Sequence, residues 1–196
     1  PKARDILTMW GTIENEPFFF MVAHWPSRLG GKDASEFKRI AVGEQMRRIA
    51  DSVLKINPAT KVVAMGDFND DPTDESIAEG LGAKAKMKDL KPGDFYNPFA
   101  DMLKAGLGTL AYGDAWNLFD NIVVTENLAT GSEGRLRLQK APDRSSTAIS
   151  SSGTTCCRKR DSIRDIPCVR TWEITFRAVT ATTSRCISIL PNKLLT

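Results

Sequence analysis

The chain has 196 residues, 41% apolar, 26% charged and 8% aromatic, enough apolar material to bury a sizeable core, which excludes a disordered or fibrous protein. No apolar run approaches the roughly 20 residues of a membrane span, and Pro1 to Asp5 lack the basic-then-apolar plan of a signal peptide. The net charge of +3 is unevenly spread, since residues 144–196 hold nine Lys and Arg against three acids while residues 1–143 are net negative. All four cysteines, Cys156, Cys157, Cys168 and Cys186, lie in that basic tail, with 17 Ser or Thr. Two compositions share the chain. The opening Pro-Lys-Ala-Arg has no Met and runs directly into strand-like sequence, so the natural N-terminus, with any targeting signal, is expected upstream.

In chain order, Ile6 to Ile13 and Phe18 to His24 are β-prone apolar runs joined by Glu14-Asn15-Glu16-Pro17, which predicts a hairpin. From Ala34 to Ile56, Phe37, Ile40, Ala41, Ile49, Val53 and Ile56 recur at helical spacing among Arg and Glu, and Asn57-Pro58 ends the pattern. Lys61 to Met65 is short and continuously apolar after its lysine, as a buried central strand is. A loop over Asp67 to Thr73 follows, then Thr73-Asp-Glu-Ser opens a short helix with acids at its positive end. Gly82 to Gly93 is Lys-rich and reads as surface, and Leu118 to Thr125 is a further strand. There is no internal repeat. Beyond Asp143 the sequence has neither period, and Cys156-Cys157 with distant Cys168 and Cys186 lacks the paired spacing of a zinc site.

Chemistry-bearing residues gather at strand ends. His24-Trp25-Pro26-Ser27-Arg28 closes the second strand, and Gly66-Asp67-Phe68-Asn69-Asp70 closes the central one. If extended geometry continues, Asp67 and Asn69 share a side and Phe68 faces the other. The carboxylate can then orient or deprotonate a water, and the amide can bind a phosphoryl oxygen. The alternative is an Asp-Asn turn at a strand end. His24 is the only histidine, which excludes any site built on two.

Taken in this order, His-Trp-Pro-Ser-Arg, the helix, the buried strand with Gly-Asp-Phe-Asn-Asp, and Trp-Asn-Leu-Phe-Asp-Asn-Ile-Val-Val-Thr resemble the endonuclease/exonuclease/phosphatase superfamily. The resemblance covers residues 4 to about 130. It implies a deoxyribonuclease I-like α/β sandwich of two packed mixed β-sheets flanked by helices, incomplete in this chain, with residues 1–143 as a partial domain. It further implies Mg²⁺- or Mn²⁺-assisted hydrolysis of a phosphodiester or phosphomonoester. By the same resemblance His24 stabilises the phosphoryl transition state, Asp67 acts as base or positions water, and Asn69 contacts phosphate. Asp120 buttresses a second histidine near the family's C-terminus. Arg28, beside His24, adds charge to a phosphate site or is a solvated loop arginine.

The family's metal-binding Glu comes from strands upstream of Pro1, and its closing Ser-Asp-His triplet is absent. The tail recovers that triplet in another frame. Back-translated with permitted codons and read one nucleotide earlier, Asp165 to Lys193 spells GYPLRTYVGNNFQGGYSDHFPVYLYLTK followed by a stop. The first base of each new triplet is the free wobble position, whereas the other two are largely fixed. A frameshift near Arg144 is therefore expected, leaving residues 144–196 a poorly structured, out-of-frame tail and the chain itself weakly active or inactive. The alternative is a non-catalytic fragment or binding module whose basic tail contacts nucleic acid nonspecifically. No aromatic and basic stripe marks a nucleic-acid groove, so the phosphate-ester substrate is equally a nucleic acid, a phosphorylated small molecule or a lipid. Limited proteolysis is expected to cut soon after residue 143, and a resistant fragment retaining Cys186 would contradict the tail reading.

Overall fold

A computed structural model describes residues 3–112, 115–132, 134, 136–138, 174–179 and 184–189. The first two strands, β1 (Leu7–Ile13) and β2 (Glu16–Val22), pair antiparallel with Ile13 opposite Glu16. Glu14 and Asn15 both have positive φ, the two-residue turn that matches strand twist. Helix α1 (Lys32–Ile56) then carries the chain to β3 (Lys61–Asp67), which lies parallel to β2.

A π-helical turn at Ser76–Gly80, β4 (Ala83–Lys84), a 3₁₀ turn at Met87–Asp89, β5 (Phe95–Tyr96) and α2 (Phe99–Lys104) follow. A small hairpin of β6 (Leu110–Tyr112) and β7 (Ala115–Asn117) leads into β8 (Asp120–Thr125), α3 (Glu126–Thr130) and β9 (Leu136–Leu138). The main sheet is mixed, in the order β1-β2-β3-β8-β5-β4.

Both faces of this sheet are covered, which is why its inner strands read as unbroken apolar runs. Successive residues face opposite ways. Phe19 and Met21 of β2, Val62 and Ala64 of β3 and Val123 of β8 pack under α1 with Val42, Met46, Ala50 and Val53. Phe18, Phe20, Val63, Ile122 and Val124 face the other side, against Phe99, Leu128 and Leu136. Leu136 belongs to β9, so the second sheet, ordered β11-β10-β9, meets the first across this layer. The architecture is the expected α/β sandwich.

One expectation needs correcting. The inward stripe of α1 is Ser35, Arg39, Val42, Gly43, Met46, Ala50 and Val53, whereas Phe37 and Ile56 are exposed. The stripe is set by partners rather than by hydropathy: buried Arg39 meets a buried carboxylate, and Gly43 lies so close to the Ser76 carbonyl that a Cβ would sit 2.5 Å from it. The Lys-rich stretch from Gly82 to Gly93 lies at the surface as expected, its lysines exposed, and it contributes a two-residue strand, β4, with Ala83 buried. Within residues 144–196 the described residues are β10 (Ile174–Val179) and β11 (Ser184–Ile189), which pair with each other, and β10 with β9. The rest of residues 144–196, including Cys156, Cys157 and Cys168, lies outside the described residues.

Gly66 sets the spacing between β3 and the chain leaving β2. Its φ is +138°, and a Cβ there would lie 2.0 Å from the Ala23 carbonyl oxygen. Gly66→Ala is expected to destabilise the fold by about 3 kcal/mol or more, from backbone strain plus a clash with main chain that cannot step aside. Urea unfolding checks this, as a lowered midpoint at unchanged slope.

Candidate functional site

The extended pairing of β2 with β3 continues past Val22. Ala23 N–H donates to the Met65 carbonyl (3.1 Å) and Trp25 N–H to that of Asp67 (2.9 Å). Alternation then sorts the side chains. Trp25 and Phe68 turn into the core and stack at 4.4 Å between ring centroids, with the Trp25 indole N–H directed to the Met46 sulfur at 3.3 Å. His24 and Asp67 turn outward, their side chains 49% and 38% exposed, with His24 Nε2 3.6 Å from Asp67 Oδ2. A buried aromatic pair thus fixes an accessible polar one.

Asp120 opens β8 directly opposite Asp67 in the β3–β8 register. Burial raises its carboxyl above the usual value, and the neighbouring Asp67 charge pushes the same way. A hydrogen bond with the Thr109 side chain, the positive charge of protonated His24 and the residue's own backbone N–H oppose the rise. His24, Asp67 and Asp120 therefore converge at one end of the sheet.

Asn69 joins them by a different route from the one expected. Strand geometry stops at Asp67, and Asn69 takes φ +52°, outside the extended range. Its backbone N–H donates to Asp67 Oδ1 at 2.9 Å, an Asx turn of the kind short polar side chains favour, and its amide Nδ2 donates to the Trp25 carbonyl at 3.0 Å. The Asp-Asn turn and the grouping of Asp67 with Asn69 are one feature.

Arg28, expected to add charge to a phosphate site or to be a loop arginine, makes its contacts within the protein. Its Nη2 lies 2.9 Å from Asp70 Oδ1 and 2.7 Å from Asp74 Oδ2, its Nε donates to the Asn69 carbonyl at 2.8 Å, and its guanidinium lies over the Phe119 ring. Three acceptors and a ring commit it to holding the loop. Sequence reasoning left Asp70, Arg39 and Asp71 without roles, although Asp70 and Asp71 adjoin the Gly-Asp-Phe-Asn run. Asp71 Oδ1 accepts the Leu118 N–H at 2.6 Å, tying the loop after β3 to the start of β8, and burial raises its carboxyl. Thr109 was also missed, because residues 100–117 carry no period.

Among the described residues no three His, Cys, Asp or Glu side chains are placed to hold a metal ion. The cluster offers two carboxylates and one imidazole, with Asp67 Oδ1 already accepting a backbone N–H. These residues alone do not fit a divalent cation site.

The family model described as Endonuclease/Exonuclease/phosphatase family matches residues 1–145, a span that includes His24, Asp67, Asn69 and Asp120. No curated protein matches the chain. Among solved structures, truncated Caenorhabditis elegans TDP2 is 15% identical, with 68% of this chain and 50% of that chain covered at a TM-score of 0.46. The human nocturnin catalytic domain with bound sulfate anion is 16% identical, with 67% and 41% covered at 0.39. The Staphylococcus aureus beta toxin with bound magnesium ions is 13% identical, with 92% and 52% covered at 0.38. The chain spans about half the length of these structures.

The raised carboxyl of Asp120 has a consequence for stability. Its folded-state proton affinity exceeds that of the unfolded chain, so its favourable contribution is full at low pH and is lost as pH rises through the folded-state value. Asp120→Asn is expected to raise the melting temperature at pH 7 and to lose that advantage near pH 3. A wild-type protein as stable as the variant at pH 7 would contradict this electrostatic reading.

Proposed function

Because the chain belongs to the endonuclease/exonuclease/phosphatase family, we propose that the end of the sheet carrying His24, Asp67, Asn69 and Asp120 binds a phosphate ester and promotes its hydrolysis. The observation that carries this reading is the half-exposed His24–Asp67 pair, held outward by the buried Trp25–Phe68 stack and faced by Asp120 across the strand register.

Each residue has chemistry to contribute. Asp67 Oδ1 is fixed by the Asn69 N–H, which leaves Oδ2, beside His24, to accept a proton from an attacking water. The His24 imidazole is placed to donate to a phosphoryl oxygen as negative charge builds there. Asn69 is 9% exposed and its Nδ2 is held by the Trp25 carbonyl, so its main part is to orient Asp67 through its backbone N–H. An open groove lined by Arg4, Ser27 and Lys38 adjoins Pro26, two residues from His24, and suits the remainder of an anionic substrate.

Mg²⁺ or Mn²⁺ is the family's expected cofactor, and when bound it neutralises phosphate charge and polarises water. The described donor set falls short of such a site, so hydrolysis by these residues alone is slow. Purified chain is expected to turn over bis(p-nitrophenyl) phosphate and p-nitrophenyl phosphate weakly. His24→Ala or Asp67→Ala should each lower that rate by about 10²-fold or more, the usual cost of losing one acid-base or electrostatic group. Chemical shifts of His24 and Asp67 should respond to p-nitrophenyl phosphate. Unchanged turnover and absent shift changes would sink the site assignment, and fast turnover abolished by EDTA would overturn the metal-fit argument.

A further inference from the structure

The groove beside Pro26 has a cavity volume of about 410 Å³ and is lined by Arg4, Ser27, Leu29 and Lys38. That size lies within the range of small-ligand sites. The Trp25 carbonyl joins it to the phosphate-ester site, since the same oxygen accepts Asn69 Nδ2 at 3.0 Å and Arg4 Nη1 at 3.4 Å. Arg4 is thereby held at the boundary between the groove and the turn that orients Asp67. Pro26 follows His24 by two residues, at most about 7 Å of chain, which is the step from one phosphate of a nucleotide strand to the next.

Other cations near this end of the sheet are committed to carboxylates. Arg28 is paired with Asp70 and Asp74, Lys32 with Asp74 and Arg39 with Asp70. Among the described residues neither Arg4 nor Lys38 takes part in an ion pair, and no carboxylate lines the groove. Arg4 is exposed and gives one of its five N–H donors to Trp25. Lys38 is half-buried, and its Nζ lies 5.6 Å from the centroid of the Phe37 ring, a contact that uses none of its N–H donors. Exposed Ser27 adds a hydroxyl, and Leu29, 89% exposed, adds an apolar wall. Two cations without counter-charges and a hydroxyl have the donors that a phosphate takes.

We propose that this groove is a second anion subsite, in which Arg4 and Lys38 bind a phosphate one unit along from the ester held at His24 and Asp67. Esters that carry such a second phosphate are then the preferred ligands. The proposal rests on the reading that His24 and Asp67 hold a phosphate ester, and it adds what the rest of that ester must carry. The chemistry recognised is the second phosphate, whether it comes from a nucleotide strand or from a bisphosphorylated small molecule. Leu29 favours the nucleotide, whose sugar and base present apolar surface to it. Because the attraction is between partly exposed charges, salt screens it.

The test compares the p-nitrophenyl ester of thymidine 5′-phosphate with its 3′-phosphorylated counterpart, which differ by one phosphate alone, in NMR titrations of the full chain. The second phosphate is expected to tighten binding about 10-fold at low salt, the combined effect of two partly exposed charge contacts. It should also shift the side-chain N–H signals of Arg4 and Lys38, and lose most of its effect in about 0.5 M NaCl. Arg4→Gln and Lys38→Gln should each bring the affinity ratio of the two ligands towards one, and Arg4→Lys should retain most of it. Glycerol 1,3-bisphosphate against glycerol 1-phosphate is the second arm. A preference in either arm that depends on Arg4 or Lys38 supports the subsite and names the source of its phosphate. Equal affinities in both arms, or a preference that both glutamine variants leave intact, overturn it. Should Arg4→Gln fail to fold, Lys38→Gln and the salt dependence of the wild type decide. The signals of His24 and Asp67 keep the two readings apart. If the monophosphates move them and the second phosphate adds nothing, this inference alone fails; if they stay still in every titration, the failure is that of the hydrolysis reading.

Discussion

The buried carboxylate of Asp70 is the point to which the loops around the site are tied. It is fully buried, as is Arg39, whose Nε lies 2.6 Å from Asp70 Oδ2. Ser76 donates to the same oxygen, while Arg28 approaches Oδ1. One carboxylate therefore joins α1, the loop after β2, the loop after β3 and the π-helical turn. Arg39 also donates to Ser35 Oγ and the Lys32 carbonyl, so each guanidinium nitrogen has a partner inside the protein. Such pairs add little net stability relative to apolar replacements, but removing one partner strands a buried charge at a cost of about 3 to 5 kcal/mol. The pair thus specifies how the helix sits on the sheet, and it explains why the buried stripe of α1 runs through an arginine.

From that tie the geometry of the site follows. Arg28, held by Asp70 and Asp74, grips the Asn69 carbonyl. Asn69 can then keep its left-handed backbone and present its N–H to Asp67. On the far side, buried Asn121 donates to the Leu118 and Phe119 carbonyls and accepts from Asn97, which fixes the entrance to β8. The outward groups are held by buried neighbours, so their orientation does not depend on the contacts they make with each other. That arrangement permits two carboxylates, Asp67 and Asp120, to face one another across a register, an electrostatically unfavourable placement that raises the Asp120 carboxyl.

Much of this was written in local sequence. The hairpin, the long helix, the buried third strand and the strand opened by Asp120 follow from periodicity and turn residues, because each depends on neighbours a few positions away. His24 and Asp67 were legible as strand-end residues, since two strands that run parallel bring their C-terminal ends together. Where local reasoning failed, a distant partner had overridden it. Phe37 looked like core and is exposed, because Arg39, two positions on, is the residue that meets buried Asp70.

The sequence by itself determined the strand and helix identities, the family and the residue types able to work on a phosphate ester, because these are set by short-range pattern and by side-chain chemistry. Only the tertiary structure decided which of those residues meet. The Asp67–Asp120 facing pair joins residues from separate strands, and the Thr109 hydroxyl reaches β8 from a hairpin that shows no period of its own. Contacts of this kind depend on register and on the burial of charge, which are properties of the packed chain, and no window of sequence contains both partners.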